Sequence, residues 1–291
     1  MIKNYLELNE TEMQKVYGFM NKNNDYKQSI EEMDKLFRDD VYDFGRGIIF
    51  SFNEVNIVGK ASIILKECSE KGIAYIINLD VIEDGNINKK VVLREIIDEA
   101  VSIAKNYGAL NIYMGVRDKK IIETLNCLNI YKQYSAVKMV LKDREIRYST
   151  LELIPLNNDN KKEYLELYND AFKKTPHGET LREHDVEEYV NEIDEEHYYF
   201  IVTIENKNIG FLQINIEEDS GEFDIGLIEA ERGKGYGKRL LETAINFLNL
   251  KNVQEICLIV ITRNTLAYNI YKKRGFEEKQ LISDWFVINE G

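Results

Sequence analysis

Apolar residues in the second half of the chain recur at two different spacings, which predicts a mixture of helices and strands. Segments with apolar side chains three and four residues apart are predicted helices, at 160–174, 179–193, 236–250 and 264–273. Segments rich in β-branched and aromatic residues are predicted strands, at 198–203, 209–216, 222–228, 256–261 and a strand pair within 276–288. A turn signal at 205–208 predicts that the first three strands form an antiparallel meander.

The first half of the chain repeats this order of elements. Its predicted elements are residues 9–20, 28–37, 47–52, 57–65, 73–82, 88–104, 110–116, 119–127 and 131–141. A shift of 147 residues places Leu93 on Leu240 and Met114 on Ile261. The sequence therefore predicts an α/β (α+β) fold with two tandem domains, 1–146 and 147–291, each a mixed, mostly antiparallel sheet flanked by helices.

Composition narrows the class of protein. The chain has 291 residues, of which 44% are hydrophobic and 31% charged, as in a folded protein of two domains. Its net charge of -13 disfavours nucleic acid as a partner. No apolar run reaches the ~18 residues of a membrane span, and the first residues lack the layout of a signal peptide. We therefore expect a cytoplasmic protein that binds no membrane.

The three cysteines, Cys68, Cys127 and Cys257, are scattered along the chain without the spacing of metal ligands. Each lies in or beside a predicted element. We expect buried free thiols and no metal site.

A glycine-rich turn lies between the predicted strand 222–228 and the predicted helix 236–250. Glycine allows a backbone to approach an anion closely, and amide groups at a helix N-terminus point toward a bound phosphate. The basic residues of the turn concentrate positive charge in an acidic protein. The turn consists of Arg232, Gly233, Lys234, Gly235, Tyr236, Gly237 and Lys238.

Two common phosphate-binding patterns do not fit this turn. A P-loop requires Ser or Thr after its Gly-Lys pair, but Arg239 follows Gly237 and Lys238. A dinucleotide fingerprint requires glycine at its first, third and sixth positions, but counting from Gly233 the sixth residue is Lys238. Neither a P-loop nor a dinucleotide site is therefore predicted.

Residues 232–237 resemble the R/Q-x-x-G-x-G/A signature of the GCN5-related N-acetyltransferase (GNAT) superfamily, at the expected place between a strand and a helix. A second segment, residues 264–276, is similar to the family's N-x-x-A-x-x-x-Y-x-x-x-G-F pattern. Together with the strand order, the resemblance covers about residues 150–291. It implies an acyl-CoA N-acyltransferase with acetyl-CoA as co-substrate and without a metal.

The resemblance also implies where the cofactor lies. Backbone amides of residues 233–238 would hold the pyrophosphate, and Arg232 and Lys234 would assist. The pantetheine arm would follow the strand that ends at Leu227 and Ile228, in the gap where that strand separates from the strand ending near Ile261.

Two further residues receive roles from the resemblance. Asn264 would contact the cofactor arm, and Tyr271 would donate a proton to the leaving thiolate. The alternative for Tyr271 is an aromatic side chain on the core face of its helix.

Direct attack of an amine on the thioester also requires a group that accepts the amine proton. Alternation along the strand 222–228 places Glu222 and Asp224 on one face, so both are candidate bases; a solvated strand edge is the alternative. His177 and His184 lie near the connection between the first two helices, and we interpret both as surface histidines.

An acidic segment beside these histidines suggests a way to attract an acceptor. Its carboxylates could attract a cationic amine, although a solvated helix face explains the same pattern. The segment contains Glu179, Glu183, Asp185, Glu187 and Glu188.

The first domain lacks the glycine turn. Under the same shift Gly85 lies opposite Arg232, and the three glycine positions fall on Asn86, Asn88 and Lys90. Thr124 lies opposite Tyr271. The first domain is therefore predicted to be a degenerate, non-catalytic copy, an arrangement similar to mycothiol synthase and other tandem members.

These observations favour an N-acetyltransferase in which the primary amine of a small molecule attacks the thioester directly. The acidic composition suits a cationic acceptor. One alternative is an acyl-CoA-binding sensor or regulatory module without turnover, and another is a protein N-acetyltransferase. The acceptor, the acyl chain length and the oligomeric state are not predicted.

Overall fold

The structure is a computed structural model that describes residues 1–21, 27–54, 56–82 and 87–289. Its helices are α1 (Glu10–Asn21), α2 (Ile30–Phe37), α3 (Cys68–Lys71), α4 (Lys89–Asn106), α5 (Lys119–Cys127), α6 (Lys161–Phe172), α7 (Glu183–Glu192), α8 (Tyr236–Leu250) and α9 (Thr265–Arg274).

The predicted strands occur in the predicted order, together with two short strands that were not predicted. They are β1 (Ile2–Asn4), β2 (Ile48–Asn53), β3 (Asn56–Ile64), β4 (Ile73–Val81), β5 (Asn111–Val116), β6 (Tyr134–Leu141), β7 (Glu152–Pro155), β8 (His197–Ile204), β9 (Lys207–Glu217), β10 (Ser220–Leu227), β11 (Glu255–Ile261) and β12 (Phe276–Asn289). The mixed α+β class is confirmed.

The chain forms two compact units that are not its two halves. One unit consists of Met1–Tyr134 and Ser283–Gly291, and the other of Ser135–Ile282. Each unit thus contains a strand from the other half of the sequence: β6 belongs to the second unit, and the end of β12 to the first. The domain boundary between residues 146 and 147 was derived from the sequence repeat and stays a prediction.

In the first unit, strands β1 to β4 pair antiparallel in chain order, β4 pairs parallel with β5, and β5 pairs antiparallel with Asp284–Asn289 of β12. Side chains such as Ile63 on one face pack against Leu93 of α4, while Phe50 on the other face packs against Met33 of α2. Alternation along the strands therefore gives this sheet two buried faces.

In the second unit, β7, β8, β9 and β10 pair antiparallel, which confirms the predicted meander. β10 pairs parallel with β11, and β11 pairs antiparallel with β6. Leu240 and Ala244 of α8 pack on one face of this sheet, and Tyr164 and Tyr168 of α6 pack on the other.

Three expectations are corrected by the structure. Residues 276–289 form one strand and not a strand pair. The short strands β1 and β7 were not predicted, because three or four residues are too few to show alternation. Cys127 is exposed, whereas Cys68 and Cys257 are buried free thiols as expected.

Among the described residues, no helix combines the length and the apolar character needed to cross a membrane. The cytoplasmic location stays a prediction.

Candidate active site

The parallel strands β10 and β11 separate part of the way along their length. Their pairing covers only Ser220 to Glu222 on β10, with Glu222 opposite Cys257. Beyond this point β10 stays paired with β9 as far as Leu227, and β11 stays paired with β6 as far as Ile261. A gap therefore opens between the two strands, at the place that the family resemblance implies.

A cavity of about 390 Å³ occupies this gap. Its walls come from the strand ends, from α9 and from α6 with the segment that follows it. The lining residues are Tyr168, Ala171, Phe172, Thr175, Pro176, His177, Gly178, Glu179, Asp224, Ile225, Gly226, Leu227, Arg232, Ile259, Val260, Ile261, Asn264, Leu266, Ala267, Ile270 and Tyr271.

The structure separates the two candidate bases. Asp224 lines the cavity, whereas Glu222 lies outside the lining, with one carboxylate oxygen 4.0 Å from the Cys257 sulfur. Both face the same side of β10, but Glu222 is the last residue that pairs with β11. The cavity opens only beyond it, so of the two candidate bases only Asp224 lines the cavity.

Removal from bulk water raises the pKa of Asp224 to about 7. The hydrogen bond that its Oδ1 accepts from the Ile225 N–H at 2.8 Å lowers the pKa and so opposes this effect. The charge of Glu222 adds a smaller increase. Because the Asp224 side chain is still open to the cavity, we expect the full shift when a ligand displaces the water there. A carboxylate with a pKa near 7 suits a general base at neutral pH.

Tyr271 extends from α9 into the same cavity and is partly buried. Burial raises the pKa of its phenol, and the nearby charge of Asp224 raises that pKa further. Its ring also contacts Phe276, with the centroids 6.0 Å apart. Tyr271 is therefore both a packed aromatic and a protonated group that faces the cavity.

The glycine turn has the backbone conformation that glycine permits. Gly233 and Gly235 have φ of +77° and +87°, which other residues rarely adopt, and open space surrounds both α-carbons. Gly237 has no such conformation, and an added Cβ there would meet Leu227 at an ordinary 3.9 Å. Gly235 is also the N-cap of α8 and supplies no side-chain cap. Amides at such a helix start suit an anion, so binding of one here stays a prediction.

The basic residues of the turn already have partners. Arg232 donates from Nε to the Leu227 carbonyl at 3.0 Å and from Nη2 to the Ala171 carbonyl at 2.5 Å. Lys234 pairs with Glu231 at 3.0 Å, and Lys238 lies over the Tyr148 ring, 5.5 Å from its centroid. Phosphate contacts by these side chains stay predictions.

Asn264 has a structural role in addition to its place in the lining. Its Oδ1 accepts the Ala267 N–H at 3.3 Å and so caps α9, the helix that carries Tyr271. Leu227 ends β10 and Ile228 follows it, and the Ile228 N–H donates to the Ile209 carbonyl at 3.0 Å. Contacts of these three residues with a cofactor arm stay predictions.

His177 was interpreted as a surface residue, but it lines the cavity. Its φ of +60° is uncommon for a residue with a side chain. Burial, together with the charge of Arg263, lowers the pKa of His177 to about 4, so the imidazole is neutral at pH 7. Its position between Pro176 and Gly178, in the segment after α6, is the sequence signal that could have suggested this placement. His184 instead lies on the exposed part of α7, beside Asp185.

Most of the acidic segment does not line the cavity. Glu187 pairs with Lys161 at 2.6 Å, and Asp185 accepts the Arg182 N–H at the start of α7. Only Glu179 of the five acidic residues is among those that line the cavity.

The first unit differs at the corresponding helix. The N-cap of α4 is Asn88, whose side chain accepts the Val91 N–H at 3.4 Å. Gly85 and Asn86, the other residues compared with the glycine turn, lie outside the described residues. A side chain therefore caps the start of α4, whereas the start of α8 has no side-chain cap.

Residues 161–276 match the acetyltransferase (GNAT) family. A spermidine N(1)-acetyltransferase of Vibrio cholerae serotype O1 is 30% identical over 94 residues, which cover 30% of this chain and 54% of that protein. The chain spans about half the length of the curated relatives that it matches.

Solved structures share the fold over nearly the whole chain. A GCN5-related N-acetyltransferase from Sphaerobacter thermophilus has a TM-score of 0.60 at 11% identity, with 99% of this chain and 93% of that chain covered. A tandem GNAT protein from the clavulanic acid biosynthesis pathway has a TM-score of 0.58 at 9% identity, with 100% and 98% covered. Residues 161–276 are therefore a domain of the GNAT acetyltransferase family, in a chain whose fold is that of tandem GNAT proteins.

Proposed function

We propose that this chain is an N-acetyltransferase that transfers an acetyl group from acetyl-CoA to the primary amine of a small molecule. The observation that carries the proposal is the position of Asp224 and Tyr271 in one cavity, beside a glycine turn that leads into a helix without a side-chain cap. A candidate base, a candidate acid and a candidate anion site thus occur together, which supports acyl transfer.

The residues of the turn fit the pyrophosphate of CoA. The amides of residues 233–238 would hold it, because the positive φ angles of Gly233 and Gly235 bring the backbone to the start of α8 without obstructing side chains. The arm of the cofactor would follow Ile225 and Leu227 into the cavity. Bound acetyl-CoA would supply the acyl group as a thioester.

The protein would contribute positioning and proton transfer. Asp224 would accept a proton from the attacking amine, since its pKa of about 7 leaves a useful fraction ionised at neutral pH. Tyr271 would hold its proton on the phenolic oxygen and donate it to the departing sulfur. No cysteine nucleophile is needed, because the amine itself attacks.

A small acceptor agrees with the size of the cavity, about 390 Å³, which must hold the reacting end of the cofactor as well. The likeness to a spermidine N(1)-acetyltransferase supports an amine as the acceptor. We further propose that the first unit binds no CoA, since the Asn88 side chain caps α4 there.

The proposal is tested by incubating the purified chain with acetyl-CoA and a panel of small primary amines. Mass spectrometry should show acetylated amine formed in step with free CoA thiol, and Asp224→Asn should slow both by more than about tenfold. Release of thiol without acetylated amine across the panel would instead support a sensor that binds acyl-CoA. Absence of acetyl-CoA binding in isothermal titration would contradict the proposal altogether.

A further inference from the structure

A second pocket, of about 210 Å³, lies beside the glycine turn. Lys238 and Leu241 line it from one face of α8. Ile270 and Lys273 line it from one face of α9. Lys238 is also the last residue of the turn, and Ile270 also lines the cavity between β10 and β11. The pocket therefore adjoins both parts of the proposed cofactor site.

The remaining wall of this pocket comes from the segment between β6 and β7, which lies outside the residues that match the GNAT family. Tyr148 of this segment lines the pocket and is 46% exposed. Arg274 of α9 donates to the Glu145 carbonyl at 2.7 Å, and Arg239 of α8 donates to the Ser149 carbonyl at 3.1 Å. The chain on both sides of Tyr148 is therefore bonded to the two helices, which fixes its ring at the pocket.

The cations of the pocket differ in whether an acidic side chain already pairs with them. Arg274 forms a buried ion pair with Glu242 at 2.5 Å, and Arg147 pairs with Asp143 at 2.7 Å. Lys273, by contrast, is exposed, and its ammonium group has no ion pair among the described residues. Among the described residues that line the pocket, Glu242 is the only acid. The charge of Lys273 is therefore available to an anion.

An aromatic ring close to such a cation suits a nucleotide that carries a phosphate. A base stacks on an exposed aromatic ring, and a phosphate pairs with an ammonium group. The pocket is smaller than the roughly 300 Å³ of sites that enclose a whole drug-sized ligand, so it suits one end of a longer molecule. The 3′-phosphorylated adenosine of CoA has both groups, and it is joined to the pyrophosphate that the glycine turn would hold.

We propose that this pocket binds the 3′-phosphorylated adenosine of CoA, with the adenine against Tyr148 and the 3′-phosphate on Lys273. This inference deepens the proposed function and rests on it. It gives the segment between β6 and β7 a part in the choice of cofactor, although that segment lies outside the residues that match the family.

CoA and dephospho-CoA test the phosphate contact, because they differ only in the 3′-phosphate. In isothermal titration, CoA should bind the unsubstituted chain about fivefold more tightly than dephospho-CoA does, the scale of one partly screened charge pair. Lys273→Gln should reduce this ratio to near one by weakening the binding of CoA alone. Lys272→Gln is the matched control, because Lys272 lies over the Tyr268 ring and does not line the pocket.

Tyr148→Ala tests the adenine contact separately. It should weaken CoA and dephospho-CoA alike, by about tenfold, because both molecules carry the base. Ile146→Ala, at an exposed residue of the same segment that does not line the pocket, should change neither affinity.

Equal affinity of the unsubstituted chain for CoA and dephospho-CoA, or a preference that survives Lys273→Gln, would overturn the inference. Unchanged affinities in Tyr148→Ala would overturn it as well. Because these measurements follow binding alone, failure of the proposed function would appear separately, as a preference for CoA that depends on Lys273 without acetylation of any amine.

Discussion

The carboxylate of Asp224 on β10 and the phenol of Tyr271 on α9 line one cavity, and the charge of the carboxylate adds to the burial that raises the pKa of the phenol. Asp224 can therefore release and accept protons near pH 7 while Tyr271 stays protonated. Two groups whose surroundings keep their pKa values apart form a suitable base and acid pair.

Replacing Tyr271 by Phe should remove the proposed acid without disturbing its packing. The change keeps the ring that contacts Phe276, so we expect CoA affinity to change little while kcat falls by more than about tenfold. Tyr268→Phe is the matched control, because the Tyr268 hydroxyl bonds Glu278 and does not line the cavity. Equal kcat for Tyr271→Phe and the unsubstituted enzyme would remove Tyr271 from the mechanism.

The pH dependence of kcat should reflect Asp224. Because its pKa is raised to about 7, the fraction in the basic form increases as the pH rises from 5 to 8, and kcat should increase with it. Asp224→Asn should abolish this rise, whereas Glu222→Gln, a change outside the cavity, should retain it. A rise that survives in Asp224→Asn would identify another base.

The same pKa predicts an effect on thermal stability. The folded state raises the pKa of Asp224 above its ordinary 3.8, so its contribution to stability is present below about pH 4 and is lost as the pH rises through about 7. In the presence of saturating CoA, which displaces water from the cavity, Asp224→Asn should therefore raise Tm more at pH 8 than at pH 4, as measured by calorimetry. A larger gain at pH 4 would mean that the pKa is lowered instead.

Gly235 and Gly237 of the turn should respond differently to replacement by alanine, because only Gly235 has a positive φ. Gly235→Ala forces a side chain into a φ of +87°, at a cost of about 1 kcal/mol or a distorted turn, so the Kd for CoA should increase. Gly237→Ala is the control, because its φ is not positive and the added methyl finds space. Isothermal titration with CoA compares the two, and an equal effect would show that backbone conformation does not decide binding.

Phe286→Ala should destabilise the first unit, although the residue lies near the end of the chain. Phe286 is fully buried in the core formed with α4, so its truncation should cost about 3–5 kcal/mol. Hydrogen exchange should become faster in β5, its pairing partner, and stay slow in β10. Leu281→Ala, at an exposed side chain of the same strand, should leave both rates unchanged.

Local patterns were sufficient to predict most of the second unit and the turn. Gly233 and Gly235 are needed for their backbone angles, and the apolar stripe of α8 follows from its spacing. These features depend on neighbours in sequence, which a sequence shows directly.

Long-range pairing determines what could not be predicted. Glu222 and Asp224 look alike in sequence, and they differ only because β11 leaves β10 after Glu222. In the same way, residues 276–289 form one strand, of which Phe276–Ile282 belong to one unit and Ser283–Asn289 to the other. A local pattern contains no information on either partner.

The division of β12 between the units has a consequence for synthesis on the ribosome. All residues of the second unit have been made once Ile282 is added, but the first unit still lacks the strand that pairs with β5. The unit whose sequence emerges first is therefore completed last, in contrast to the usual order in which the N-terminal domain folds before the next is made.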